Sequence, residues 1–163
     1  MSYDPDTDDE PDWIEYFAPR FCFPMPEIFE IPKKCPHEVK IELCAGFALF
    51  WSDQAAAAGR IRVALERLMD HVGIPVRRKD KNSKFSELSL HQRIELFEKG
   101  EPAIGGQLMA LKWLGNTGSH QGKLGRDDLL DAFEILEHAL TELIDRRTAK
   151  VAALAKKLMK KHA

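Results

Sequence analysis

From His37 onward, apolar and polar residues recur with a helical period. The stretch "HEVKIELCAGFALFW" follows Pro36 and predicts a helix over 37–51. A second helix is predicted over 53–72, with Asp53 or Ser52 available to cap its first turn. In it Ile61, Leu65, Leu68 and Val72 fall at helical spacing and form a stripe facing a core. Gly73 and Pro75 end that helix. Residues 76–88, "VRRKDKNSKFSEL", are basic and polar and read as a loop. Ser89 with Gln92 three residues on is a capping-box start for a third helix, "LHQRIELFEKG". A fourth is expected over about 102–114, with Pro102 in its first turn. Gly115 suits the position just past its end, where a positive φ is needed. The fifth begins near Asp127, and its pattern runs toward Lys160. A helix that long spans about 50 Å, so its last turns must protrude from a small bundle or bend away. No segment shows strand alternation and no internal repeat is visible. The pattern predicts an all-α fold, a bundle of four to five helices over 37–147.

The two ends depart from that pattern. Seven of the nine prolines lie in the first 36 residues, where they forbid helix interiors and central strands. The same region holds Trp13, Tyr16, Phe17, Phe21, Phe23 and Phe29, too apolar for a solvated tail. Residues 1–12 are expected to be disordered. Residues 13–36 are expected to form an extended arm whose aromatics cover either their own bundle or a partner. Residues 148–163 form a basic helical tail, with Val151, Leu154, Ala155 and Leu158 on one side.

Charge sharpens the contrast between the ends. The net formal charge is −2, yet residues 1–36 carry a net −6 and residues 146–163 a net +7. Such asymmetry marks interaction segments, or arms that meet each other, for instance across a dimer. The tail also suits phosphates or an anionic membrane surface. No aromatic is interleaved with its bases, so stacking on single strands is not supported there. No apolar run is long enough to span a membrane, and the acidic N-terminus lacks a signal pattern. Three cysteines, Cys22, Cys35 and Cys44, make an odd count without close pairing, which points to a reducing cytoplasm. Cys44 sits in an apolar face and reads as a core cysteine. Cys22, Cys35, His37 and Cys44 are four potential zinc ligands, but no Cys-x2–4-Cys knuckle joins them. Neither a metal nor another cofactor is expected.

Candidate chemistry centres on "LKWLGNTGSH" (111–120). This run, with "GRIRVALERLMD", "LSLHQRIELFEKG" and "DDLLDAFEILEHALTELI", resembles a prokaryotic family catalogued as domain of unknown function 4145. The resemblance covers about 37–147 and is most specific at Arg62 with Glu66 and at the Gly-Asn-x3-His turn. That family resembles, more distantly, the HEPN superfamily (higher eukaryotes and prokaryotes nucleotide-binding). What this implies is a small helical bundle, often dimeric, in defence, restriction or toxin–antitoxin settings. Active HEPN ribonucleases share an Arg-x4–6-His motif, often with Asn after the Arg. Carried onto this chain, Asn116 matches the Asn and His120 the His, but Gly115 stands where the Arg would be.

Metal-independent RNA cleavage needs a proton carrier and a cation on the phosphate. Histidine serves the first because its unperturbed pKa, about 6.5, lies near operating pH. Arginine serves the second through a planar fork that stays charged. Losing one preorganised donor to a developing oxyanion costs about 10²–10³ in rate, so Gly115 argues against efficient catalysis. Lys112, one turn upstream, is the nearest cation, with Lys123 and Arg126 downstream. A ribonuclease would use His120, Asn116 and Lys112. A binding site without catalysis would use Arg62, Glu66, Asn116, His120, Lys123 and Arg126. In the bland alternative, Asn116 and His120 lock the helices together, His120 on Glu66 for example, and Arg62–Glu66 is a solvated pair along one helix. The expected protein is a cytoplasmic, homodimeric binding module. Its partner is a protein held by arm and tail, or RNA, DNA or a nucleotide. The alternatives are a metal-independent ribonuclease and a structural accessory subunit.

Overall fold

The computed structural model describes residues 24–79, 84–120 and 124–162, and of residues 115–120 and 162 the backbone alone. Helix α1 (His37–Phe50) starts at Pro36 and buries Val39, Leu43, Gly46, Phe47 and Phe50 along one stripe. It packs on α2 (Gln54–His71), which buries Ala57, Ala58, Ile61, Ala64, Leu65, Leu68 and Met69. Asp53 caps α2 by accepting from the Ala56 N–H at 2.9 Å. At the other end Gly73 takes a φ of +79°. Its N–H donates to the Asp70 carbonyl (3.1 Å) and the Ile74 N–H to the Met69 carbonyl (2.9 Å), a Schellman closure. Helix α3 (Leu90–Glu98) opens on the expected capping box between Ser89 and Gln92. Helix α4 (Pro102–His120) packs on α2, α3 and α5, and α5 (Arg126–Leu140) buries Leu129, Ala132, Phe133, Leu136, Ala139 and Leu140. The fold is all-α.

Three details differ from the expectation, and one expected alternative is decided. The basic loop carries a short antiparallel ribbon, β1 (Arg77–Lys79) against β2 (Phe85–Glu87), with Arg78 opposite Ser86. All six of its residues are exposed, so no inward-facing apolar set exists to create an alternating signal. Helix α4 does not stop at Leu114: it runs through Gly115 to His120. A glycine inside a helix costs about 1 kcal/mol relative to alanine, which an already growing, packed helix absorbs. Of the two courses expected for the end of the long fifth helix, the chain takes the bend. A π-turn at Thr141–Asp145 leads to Arg146 in the left-handed region (φ 49°, ψ 47°), after which α6 (Arg147–His162) sets off in a new direction. Finally, Cys44 is exposed, because the buried stripe of α1 passes through Leu43 and Phe47 and leaves it on the flank.

The described part of the arm contributes to the core. Phe29 and Ile31 are buried, and Phe29 meets Phe47 edge-on with ring centroids 5.1 Å apart. Phe47 in turn meets Phe133 of α5 at 5.3 Å. Residue 29 thereby ties the arm to α1 and α5 through an aromatic cluster.

Candidate functional site

Because α4 is continuous to His120, its register places Met109, Lys112, Trp113, Asn116 and His120 along one helical face. A helix ending at residue 114 would have left Asn116 and His120 on a turn. Of this row the side chains are described as far as Trp113. Lys112 is only 8 % exposed, and its Nζ lies 3.7 Å from the centroid of the Trp113 ring. A cation over an indole gains about 0.5–2 kcal/mol, so this lysine is held by its neighbour. Trp113 itself presents much of its ring to solvent.

Helix α3 supplies the other wall. The His91 ring stands edge-on to Trp113 at 6.1 Å, and its Nδ1 lies 3.1 Å from the Met109 sulfur. Its Nε2 faces Glu95 at 3.4 Å.

The other proposed residues are scattered. Arg62 and Glu66 pair with each other along α2 at 3.6 Å, both partly exposed. Such a pair contributes tenths of a kcal/mol. Arg126 is exposed at the start of α5. Lys123, and the side chains of Asn116 and His120 with any His120–Glu66 contact, lie outside the described residues.

Arg93, which sequence reasoning passed over, is 5 % exposed. Its guanidinium donates to Asp70 Oδ1 (2.6 Å), to the Ile74 carbonyl (2.9 Å) and to the Glu66 carbonyl (3.4 Å). It therefore covers the carbonyl end of α2, where a cation also suits the helix dipole. Its Nε is buried without a partner. The signal was present: Leu90, Arg93, Ile94 and Phe97 form the buried stripe of α3, and one of them is charged. Here a guanidinium fastens two helices and is not offered to a ligand.

Among the described residues no three His, Cys, Asp or Glu side chains are placed to hold an ion, and Cys22 lies outside them. Burial pushes the Cys35 thiol up to about 11; Lys40 opposes this and Cys44 adds to it. Among the described residues no helix is long and apolar enough to cross a membrane.

Helix α6 stands exposed among the described residues. Every described side chain from 147 to 161 is exposed, and Val151, Leu154, Leu158 and Met159 are 58–71 % exposed. Six basic residues and no acidic one lie between Arg147 and His162. At its root, a cleft of about 520 Å³ separates Arg147 and Lys150 from Ile31, Pro32 and Lys34 of the arm.

Compared with known proteins, residues 45–161 match the model of a family described as Domain of unknown function (DUF4145). No curated protein and no solved structure matches the chain.

Proposed function

The chain belongs to the domain of unknown function 4145 family, and on that premise we propose that it is a helical binding module rather than an efficient catalyst. One observation carries this: α6 leaves an apolar stripe and six positive charges uncovered. Burying four such side chains is worth roughly 6–12 kcal/mol in gross terms. Association costs about 4–15 kcal/mol. A partner that matched the stripe alone would gain little, so it must also answer the charge. The HEPN resemblance suggests a cytoplasmic homodimer in a defence, toxin–antitoxin or nucleic-acid setting.

The α3–α4 face supports binding over turnover. Gly115 offers no side chain to a phosphodiester, Lys112 is engaged with Trp113, and Arg93 is consumed at the end of α2. The rival reading, a metal-independent ribonuclease, has one observation in its favour: Lys112, Asn116 and His120 share a helical face.

One experiment separates them. RNA is incubated with the full chain and with His120→Ala in the presence of chelator. We expect no cleavage by either. Cleavage by the parent that is lost in the variant would overturn the binding-module reading. RNA affinity across salt then identifies the partner class. A steep dependence, reduced by Lys156→Glu with Lys160→Glu, assigns a nucleic acid to α6. Negligible affinity assigns a protein.

A further inference from the structure

We propose that α6 lies on an anionic lipid surface, with its apolar row among the acyl chains and its lysines among the headgroups. The inference rests on the reading of α6 as the binding element and names the surface that this element meets.

The sequence of α6 puts two characters side by side on one helix. At 3.6 residues per turn, Val151, Leu154 and Leu158 fall within about 60° of one another, and all three are exposed. Lys150, Lys157 and Lys161 form a second row on the flank next to Leu154. Among the described residues no ion pair engages these lysines. Lys34 shares a cleft with Arg146 and Lys150, and Asp145 is the one acid lining it, so the basic row continues onto the bundle.

The fold turns the apolar row outward. Ala149, Ala152 and Ala153 lie on the opposite side of α6. Ala149 and Ala152 line a cleft with Ile104 and His138, and Ala149 and Ala153 line the cleft with Lys34. The bend at Arg146 thus sets the small residues toward the bundle and Val151, Leu154 and Leu158 away from it.

Other occupants meet one character and not the other. Nucleic acid answers the charge but leaves the apolar row in water. A second α6 brings six positive charges against six. A protein partner ordinarily takes about 20–30 residues a side and anchors on Trp, Tyr or Arg. The outward face of this 16-residue helix offers Val, Leu and Met. A bilayer needs no such matched surface. An amphipathic basic helix sinks about 5–10 Å into the headgroup boundary. Its lysine stems run along the apolar edge while the ammonium groups reach the phosphates. Each lysine near an anionic leaflet contributes a factor of about five in affinity. Helix α6 is not long and apolar enough to cross a membrane, so it lies along the surface.

Sedimentation of the full chain with vesicles tests this. One set contains phosphatidylcholine with an equal part of phosphatidylserine, the other phosphatidylcholine alone. We expect binding to the first set and little to the second. Lys157→Gln with Lys161→Gln should weaken that binding by about 25-fold. Leu154→Asp with Leu158→Asp should abolish it, and an unchanged urea midpoint would show that this variant keeps its bundle. No binding of the parent to either set would overturn the proposal. So would equal binding to both sets. Binding that Leu154→Asp with Leu158→Asp leaves unchanged would also overturn it, since charge alone would then hold the vesicle. If RNA binds through Lys156 and Lys160 and vesicles do not bind, the lipid surface falls and the binding module stands. Negligible RNA affinity, which otherwise assigns a protein, assigns the lipid where the phosphatidylserine vesicles bind.

Discussion

Arg93 shows how one side chain can be costly to bury and still necessary. Taking a guanidinium out of water is unfavourable unless its donors are satisfied. Here one carboxylate and two carbonyls accept from its two terminal nitrogens, while the Nε stays buried without a partner; all three acceptors belong to the last turns of α2 and its exit. Arg93→Ala should destabilise the fold by about 2–3 kcal/mol in urea unfolding, because α2's carbonyl end loses its cover. Arg93→Lys should recover less than half of that loss, since an ammonium cannot reach three acceptors in fork geometry. Full recovery by lysine would mean that charge alone matters there. The two described cysteines give a second residue-scale contrast. Cys44 is exposed, while Cys35 is partly buried with its pKa raised from 9.0 to about 11. Iodoacetamide at pH 8 should label Cys44 well before Cys35, as peptide mapping would read. The raised thiol also has a stability consequence. The unfolded chain loses that proton near 9 and the folded chain near 11, so the contribution is complete below pH 9 and is lost as pH rises between the two. Cys35→Ser should flatten that alkaline decline.

At the scale of elements, glycines in α4 divide sharply. A Cβ on Gly105 would lie 2.5 Å from Glu98 Cβ and 2.7 Å from its Cα, so α3 and α4 meet there backbone to backbone. Gly106, next in line, is exposed and would meet nothing within 4 Å. Gly105→Ala should therefore lower stability by about 1–3 kcal/mol through overpacking. Gly106→Ala should raise it by about 0.5–1 kcal/mol through helix propensity. Thermal melts of the two variants should move in opposite directions; a shared sign would mean that the crossing is not tight. The turn between α5 and α6 works differently. Arg146 holds a left-handed conformation that most L-residues avoid at a cost of roughly 1–2 kcal/mol. Glu142 accepts from the Thr148 N–H at 3.3 Å and so caps the helix that follows. The bend is thus fixed by backbone geometry and one carboxylate, and it is what sends α6 off the bundle.

Across the described residues, the buried core and the exposed apolar and basic face of α6 lie apart. The core from Phe29 to Leu140 is continuous through α1, α2, α3, α4 and α5, whereas α6 adds nothing to it. If α6 is the binding element proposed above, stability and recognition are separable. Leu154→Asp with Leu158→Asp should leave the unfolding midpoint of the bundle within about 0.5 kcal/mol of the parent, as exposed positions do. The same variant should abolish whatever engages α6. A large loss of bundle stability, measured by urea unfolding followed at Trp51 and Trp113, would mean that α6 belongs to the fold after all.

What could be read in the sequence was what residues a few positions apart decide among themselves. Asp53 on the Ala56 N–H, Ser89 with Gln92, and Gly73 with Ile74 are local bonds. They set the ends of α2 and the start of α3 without help from the rest of the chain. The stripe of Ile61, Leu65 and Leu68 is likewise a matter of period, and the all-α class follows from it. Tertiary structure decided the rest. Whether Gly115 stops α4 depends on a balance of about 1 kcal/mol, which packing on α2, α3 and α5 outweighs. The buried role of Arg93 depends on carbonyls 19 and 27 residues away, and the seat of Phe29 on rings from α1 and α5. The candidate site falls between the two. Its residue types were legible, but the helical face of α4 that they share came only from the helix continuing. Local bonds form within a few residues and leave a sequence signature. Long-range packing chooses among conformations whose local energies differ by less than it contributes.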